Sequence, residues 1–481
     1  MTRLAELPGD ARAGAGPPLL LPPVPQRRQA DVVRVVMIAG IWSLPLLRPG
    51  GPGNTGPADV VLTIAVVIAA LWVSEPGRVM RFPYAVPVGL SVFAGALAST
   101  AAYAAGFGSV GGAFLTLLQD LFVWAWALAI ANVGREPALL RSITRAWAVS
   151  GTCWAALMII GVFGHITALS GETAREGVRA SLTLGDPNVA ANYFICALLV
   201  LRATRYPRHR LLRWTCCLVI ITAVLFTGSN GGALVLVVAT LLGWIFGLAR
   251  RRGGAAVLAA SAVALCAVAV ATQINTQQIV LKAQAGVPVL RDSVGRQAES
   301  STSRSTILQE TAALYFTTDN PLGIGANATK FAFQEHQFGY VKEAHDDYAA
   351  ALVERGVLGG AALLCLLVMV AVRCRRIATR PLRPSCRALI PRPELLGAAA
   401  IAIFASGLFY QVLHFRHVWA LFGLIAAADL WGRTDSAANR PGLRDAPLHR
   451  AGTAECPTAD EMTGGPRSRD TGHDNCLGAP G

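Results

Sequence analysis

The chain alternates long apolar segments with short polar connections. Crossing the ~30 Å hydrocarbon core of a membrane takes roughly 17–25 mostly apolar residues in a helix. Twelve segments meet or nearly meet this length, namely 32–47, 58–74, 84–106, 110–133, 146–169, 188–202, 211–228, 231–249, 255–272, 352–372, 394–412 and 415–432. None of them alternates apolar and polar residues with the period of two that is typical of a β-barrel strand. The pattern predicts an all-α, polytopic transmembrane bundle of about 12 helices.

Composition excludes a soluble fold. The chain is 53% hydrophobic and 15% charged, whereas ordinary globular proteins are roughly 45–50% apolar and ~25% charged. The formal net charge of +14 leaves two interpretations open, nucleic acid or anionic lipid. The positions of the basic residues decide between them.

Arginines concentrate in alternate connections, which fixes the predicted orientation. Three connections are especially rich in arginine: Arg202, Arg205, Arg208, Arg210 and Arg213; Arg250, Arg251 and Arg252; Arg373, Arg375, Arg376, Arg380, Arg383, Arg387 and Arg392. The positive-inside rule places these connections in the cytoplasm, with both termini on the same side. We therefore expect a multi-pass protein of the cytoplasmic membrane whose charge faces anionic lipids. Nucleic-acid binding is not needed to explain the charge.

The remaining segments complete the predicted domain organisation. Residues 1–30 and 433–481 are polar or rich in Gly and Pro, which predicts disordered cytoplasmic tails. Helices 1–9 are expected in 31–272 and helices 10–12 in 349–432. Between them, 273–348 is predicted to be one long extracytoplasmic loop, with six basic and eight acidic side chains.

This topology brings polar residues from distant segments to the outer face. They include Arg179, Asp186, Asn188, Ser229, Asn230, Arg304, Asp319, His345, His414, Arg416 and His417. Their shared side predicts an outward-facing polar site. Each arginine also has a simpler interpretation, because arginines near helix ends commonly extend to the lipid head groups.

His345 is the strongest candidate for chemistry. The segment Ala344-His345-Asp346-Asp347-Tyr348 opens a helix, and a helix N-terminus favours neutral imidazole, the form that a general base requires. The alternative is an ordinary surface histidine. Asp346 and Asp347 equally fit a first helical turn, where carboxylates complement the helix dipole.

Asp120 is the one carboxylate deep in a predicted span. Carboxylates inside a membrane are costly and are usually functional or paired. Two interpretations stay open for Asp120, a functional group and a hydrogen bond to a neighbouring helix.

Several motifs together resemble the O-antigen ligase/polymerase superfamily. The specific part pairs the long loop with the helix after it: Ser303-Arg304, Asp319-Asn320-Pro321-Leu322-Gly323-Ile324-Gly325, Ala344 to Tyr348, and Leu352-Val353-Glu354-Arg355-Gly356-Val357-Leu358-Gly359. Arg179 with Asp186-Pro187-Asn188 is similar to a second family motif, and Thr227-Gly228-Ser229-Asn230-Gly231 to a third. At the third motif Asn230 replaces the usual arginine.

The resemblance implies a GT-C-like fold and a metal-independent glycosyltransferase. Its substrates would be an undecaprenyl-pyrophosphate-linked glycan and an acceptor glycan, lipid or protein, and the transfer would take place at the outer face of the membrane. His345 is then the expected catalytic residue. Pyrophosphate ligands would be Arg179, Arg304 and Arg416, supported by Asn188, Asp346, Tyr348 and Asp120. No cofactor and no metal are expected. The alternative function is a membrane permease or exporter for a polysaccharide or small solute.

Overall fold

The computed structural model describes residues 24–48, 55–171, 179–253, 255, 306–317, 320–335 and 346–432, all within one compact unit that covers Met1–Thr434. The described helices are α1 Val24–Ser43, α2 Pro57–Val73, α3 Ala85–Ala104, α4 Val110–Val133, α5 Pro137–Phe163, α6 Thr167–Ser170, α7 Pro187–Thr204, α8 Arg210–Phe226, α9 Asn230–Arg252, α10 306–317, α11 Thr329–Glu335, α12 Asp347–Thr379, α13 Pro384–Leu389, α14 Glu394–Ser406 and α15 Arg416–Trp431.

The all-α prediction is confirmed, since the described part of the chain contains no β-strand. Eleven of the predicted segments coincide with helices, and the twelfth, 255–272, lies almost wholly outside the described residues. Some boundaries differ. Helix α5 begins at Pro137, because a proline at the first helical position costs no hydrogen bond. Helix α14 ends at Ser406, well before the predicted end of that segment.

By length and composition, six described helices can cross a membrane: α3, α4, α5, α7, α9 and α12. The protein is therefore an integral membrane protein. Helices α2 and α14 are apolar but shorter. The count of about 12 and the long loop remain predictions.

The two ends of the bundle follow from contacts between helix termini. Asp347, at the start of α12, donates its N–H to the Gly407 carbonyl just after α14, at 2.9 Å. Far along the same helices, the Arg392 N–H before α14 reaches the Ala203 carbonyl near the end of α7, at 3.1 Å. We call the end with Asn188, Asp347 and Arg416 the site end, and the end with Arg202 and Arg392 the arginine end.

Burial distinguishes central from peripheral helices. Helix α7 is central, because 83% of its apolar 18-residue stretch is buried inside the protein. The same fraction is only 22% for α9 and 28% for α12. Helices α5, α8 and α14 surround α7, while α15 packs against α4 and α12 against α3. At one contact, a Cβ on Gly423 of α15 would lie 2.7 Å from the Ala127 carbonyl oxygen of α4. Glycine is needed there because the two backbones approach so closely.

A second, smaller core lies at the site end. Leu314 of α10, Phe333 of α11 and Val353 of α12 are buried together with Ile324. The described parts of the predicted loop are thus packed against α12.

Candidate functional site

Three motifs that are far apart in sequence meet around the side chain of Asn188. Arg179 Nε donates to the Thr227 carbonyl at 3.0 Å, and Arg179 Nη2 donates to Asn188 Oδ1 at 3.3 Å. The Ser229 hydroxyl donates to the same Asn188 oxygen at 2.7 Å. We call Arg179, Asn188, Thr227 and Ser229 the Asn188 cluster.

Local sequence explains why these side chains are placed there. Asp186 caps α7 by accepting the Asn188 N–H at 2.6 Å, and Pro187 occupies the first helical position. Ser229 caps α9 by accepting the Gly232 N–H at 3.0 Å. Small polar residues satisfy the free N–H groups of a first turn in this way. Asn230, at the arginine position of the family motif, is the exposed first residue of α9.

The start of α12 forms a second polar group. Asp346 is its N-cap and accepts the N–H groups of Tyr348 at 2.6 Å and Ala349 at 3.0 Å. The Tyr348 hydroxyl donates to the Phe404 carbonyl at 2.9 Å. Both residues therefore fix the helix start. The remaining predicted candidates in this region, His345 and Arg304, lie outside the described residues.

The segment 407–415 joins the two groups. Asp347 Oδ2 accepts the Val412 N–H at 2.9 Å. The Tyr410 hydroxyl donates to the Asn188 carbonyl at 3.2 Å. The predicted polar residues before and at the start of α7, in the α9 hairpin and at the start of α12 therefore lie at one end of the bundle.

A cavity of about 650 Å³ lies between α3, α4, α12 and the 407–415 segment. Its polar lining is supplied by Ser91, Thr116, Gln119, Asp120, Asn327, Asp347, Glu354, Arg355, Gln411 and His414. We call it the α12 cavity. Its size lies within the range of small-ligand sites, which is roughly 300–1,000 Å³.

The partner of Asp120 is found in this cavity. Arg355 Nη2 lies 2.6 Å from Asp120 Oδ2, and the side chains are 14% and 22% exposed. Arg355 Nη1 also donates to the Ser91 hydroxyl. Asp120 is thus paired with Arg355, and both charges lie on the cavity wall. Gln119 Nε2 is buried beside them and has no hydrogen-bond partner among the described residues.

Helix α12 is broken one residue after Arg355. Gly356 has φ +62° and ψ −161°, a conformation open essentially only to glycine. The segment 321–325 fills the break: the Val357 N–H donates to the Pro321 carbonyl at 3.0 Å, and the Ile324 N–H donates to the Val353 carbonyl at 2.9 Å. The glycine-rich segment is a turn that also supplies the hydrogen bonds that the broken helix lacks.

Glu354 anchors the same junction. Its carboxylate accepts the Asn327 N–H at 2.9 Å and the Thr329 hydroxyl at 2.7 Å. The loop and helix motifs of the sequence are therefore two halves of one packed unit, which sets the position of Arg355.

Arg416 forms an ion pair with Asp59. Its Nε and Nη2 both lie 2.8 Å from the two carboxylate oxygens of Asp59, and the Arg416 side chain is 2% exposed. This bidentate pair ties the start of α15 to the start of α2. Nearby, burial and the charge of Arg416 lower the pKa of His414 to about 4, so His414 is neutral at physiological pH.

Sequence reasoning missed Arg355, Glu354 and Gln411 as cavity residues, whereas His414 belongs to the predicted outer polar set. A usable signal existed for Arg355, because a charged residue in the apolar half of a long helix calls for a partner. The described residues contain no group of three or more His, Cys, Asp or Glu that could hold a metal ion.

These features define a class: a helical integral membrane protein with a polar cluster and a polar cavity at one end of its bundle. Residues 215–364 match the O-antigen ligase family model, which confirms the resemblance over that segment. The match runs from α8 through α9 to the middle of α12, and so contains both the Ser229 hairpin and the broken helix. It indicates an O-antigen ligase-type function, hence a glycan-transferring enzyme with a lipid-linked glycan and an acceptor as partners. No curated protein matches the chain.

Proposed function

We propose that this protein transfers a glycan from an undecaprenyl-pyrophosphate carrier to an acceptor hydroxyl at the outer face of the bacterial cytoplasmic membrane. One observation carries the proposal. The Ser229 hairpin is linked to the 407–415 segment through Asn188, which bonds both Ser229 and Tyr410. The start of α12 contacts the same segment directly, because Asp347 accepts the Val412 N–H. That segment also lines the α12 cavity.

Two arginines are proposed as ligands of the carrier pyrophosphate, Arg179 and Arg304. The planar guanidinium binds phosphate oxygens bidentately and stays protonated. Arg179 is half-buried and held at the centre of the Asn188 cluster, which supports a preorganised role. Arg416 was expected in this set, but its bidentate pair with Asp59 favours a structural role, and we assign it one.

His345 is the proposed general base. The acceptor oxygen attacks the anomeric carbon while the bond from that carbon to the pyrophosphate oxygen breaks. The acceptor proton passes to His345, and undecaprenyl pyrophosphate leaves. Direct displacement inverts the anomeric configuration. The energy comes from the pyrophosphate linkage, so we expect no need for ATP or a metal ion.

Asp120 and Arg355 are proposed to position the substrate in the α12 cavity. Their paired charges offer a donor and an acceptor to sugar hydroxyls within a largely apolar wall. Asp346 and Tyr348 hold the start of α12, which directly follows His345 in the chain.

Aromatic packing favours an enzyme over a permease. Trp419 lines the α12 cavity and packs edge-on against Phe422, which also contacts the rings of Tyr84 and Phe404. Phe404 stacks on Phe422 with ring centroids 5.5 Å apart, and Tyr84 is fully buried against Phe422 at 6.1 Å. Such packing fits a site that is open to one side of the membrane only.

The proposal is tested with His345→Ala and Arg304→Gln in proteoliposomes that contain an undecaprenyl-pyrophosphate-linked oligosaccharide. Loss of a general base typically costs 10²–10⁴-fold. We expect undecaprenyl pyrophosphate release to fall by about that much for His345→Ala, and markedly for Arg304→Gln. His209→Ala and Arg252→Gln, at the arginine end, serve as matched controls and should release it at the wild-type rate. Wild-type release by both site variants would overturn the mechanism, as would solute accumulation in vesicles without release.

A further inference from the structure

A second polar cavity lies at the arginine end, away from the proposed catalytic site. It has a volume of about 310 Å³ between the end of α7, the start of α8 and the segment before α14. Five arginines line it together with an indole and a thiol: Arg202, Arg205, Arg210, Arg213, Arg392, Trp214 and Cys217. We call it the five-arginine pocket. Helix α8 has 17 residues, so its length of about 25 Å separates this pocket from the Asn188 cluster.

The charge of the pocket is not compensated within the described chain. No carboxylate lines it, and none of its five arginines forms an ion pair with a described acidic residue. Glu394, two residues after Arg392, is engaged by Arg250 at 2.8 Å. Burial and the neighbouring Arg205 and Arg202 lower the pKa of Arg392. Like charges gathered around one cavity repel one another, so an anion bound between them would stabilise this arrangement.

Specific contacts hold the walls of the five-arginine pocket in place, unlike a patch of freely solvated arginines. Arg213 Nη1 donates to three carbonyls of the 205–208 turn, those of Arg205, Pro207 and Arg208, at 3.2, 3.0 and 3.2 Å. The Arg202 guanidinium lies 5.3 Å from the centroid of the Trp214 ring. The Arg392 N–H fixes the opposite wall through the Ala203 carbonyl at 3.1 Å.

An exposed apolar stripe begins at the pocket and continues along α8. Leu211, Trp214, Leu218 and Leu225 are 72%, 55%, 64% and 60% exposed. Their spacings of three, four and seven residues place them on one face of the helix. This face leads from the arginines into the apolar span of α8 and therefore towards the hydrocarbon core.

We propose that the five-arginine pocket binds the phosphodiester head group of an anionic phospholipid, whose acyl chains lie along the Leu211–Leu225 face of α8. Guanidinium groups suit phosphate geometry, and basic pockets between transmembrane helices on the cytoplasmic side are typical sites for anionic lipid head groups. The adjoining apolar face favours a lipid over a free phosphate. The leaflet is the one at the arginine end, which the positive-inside rule assigns to the cytoplasm. This site does not depend on the proposed transferase activity.

The test measures lipid binding to the purified full-length protein by native mass spectrometry in detergent. Phosphatidylglycerol is titrated against phosphatidylcholine with the same acyl chains. Arg210→Gln/Arg392→Gln removes two pocket charges and leaves Arg213, which holds the turn. At roughly 1 kcal/mol for each basic residue near a lipid surface, phosphatidylglycerol affinity should fall on the order of 30-fold. Arg252→Gln/Arg380→Gln removes two exposed arginines outside the pocket at the same end, and should keep affinity within about twofold.

Further variants distinguish lipid binding in the pocket from attraction to diffuse surface charge and from binding of a small anion. Arg210→Lys/Arg392→Lys keeps the charge and should recover most of the affinity, while thermal unfolding monitors the fold of every variant. Equal binding of both lipids would overturn the proposal, as would equal losses in the two glutamine double variants, which would indicate diffuse surface charge. Inorganic phosphate that displaces phosphatidylglycerol at equal concentration would identify a small-anion site and also refute the lipid assignment.

Discussion

The break in α12 is held by one glycine, and replacing it is the most direct perturbation of the junction that carries Arg355. Gly356→Ala adds a single methyl group. The backbone there has φ +62° and ψ −161°, and the new Cβ would lie 2.0 Å from the Pro321 carbonyl oxygen. Either the helix or the 321–325 segment must move.

The cost has two parts. Holding a non-glycine residue in this conformation takes about 1–3 kcal/mol. Moving the 321–325 segment also weakens up to three hydrogen bonds, among them the Val357–Pro321 and Ile324–Val353 contacts, each with a net value of about 1 kcal/mol. We expect Gly356→Ala to lower the free energy of unfolding by about 2–5 kcal/mol.

The assay follows the reactivity of buried cysteines such as Cys196 and Cys217 with a thiol-reactive dye during heating in detergent. The apparent Tm of Gly356→Ala should drop by roughly 3–8 °C. Gly89→Ala is the matched control, because that glycine is helical, exposed, and has no atom within 4 Å of the added Cβ. It should leave the Tm unchanged or raise it slightly. An unchanged Tm for Gly356→Ala would refute the described break.

Three further perturbations test other parts of the structure. Arg416→Met alone should cost about 3–5 kcal/mol, because it leaves the Asp59 carboxylate unpaired, whereas Arg416→Met/Asp59→Leu should restore most of the apparent Tm; equal losses would argue against the pair. Glu354→Gln should lower stability by about 1–3 kcal/mol, because its amide cannot accept both the Asn327 N–H and the Thr329 hydroxyl through charged oxygens, and a Tm equal to wild type would count against this anchor. His414 has its pKa lowered from 6.5 to about 4. Between pH 6.5 and 4 the unfolded chain binds a proton on His414 more readily than the folded protein does. The folded protein is therefore most favoured by neutral His414 above pH 6.5, and this stabilisation is lost as pH falls towards 4. The Tm of His414→Gln should fall less than that of the wild type between pH 7.5 and 5, and a parallel fall would contradict the buried, neutral state.

Local sequence signals were sufficient to locate the long helices and to mark several of their starts. Asp186-Pro187 and Ser229 mark helix starts through chemistry that acts within three residues, so these starts could be predicted. The side on which Arg179, Asn188 and Asp346 lie followed from hydrophobic length and arginine placement. The structure brings all three to the site end.

Pairing between distant helices could not be predicted. Asp120 required a partner, but nothing near it in sequence identifies Arg355, and the choice depends on how α4 and α12 both pack against α3. By its position in the sequence, Arg416 was expected to be a pyrophosphate ligand. Its actual partner, Asp59, lies 357 residues earlier in the chain, so no local pattern could reveal the pair. The break at Gly356 depends on a segment that docks from outside the helix, so the pattern predicted a continuous span.

The central claim is tested most directly by supplying the purified protein in proteoliposomes with undecaprenyl-pyrophosphate-linked oligosaccharide and an acceptor fraction from the cell envelope. We predict time-dependent release of undecaprenyl pyrophosphate, without added nucleotide or metal, and a new glycosidic bond of inverted anomeric configuration. Movement of the oligosaccharide across the vesicle membrane with its pyrophosphate bond intact would contradict the account.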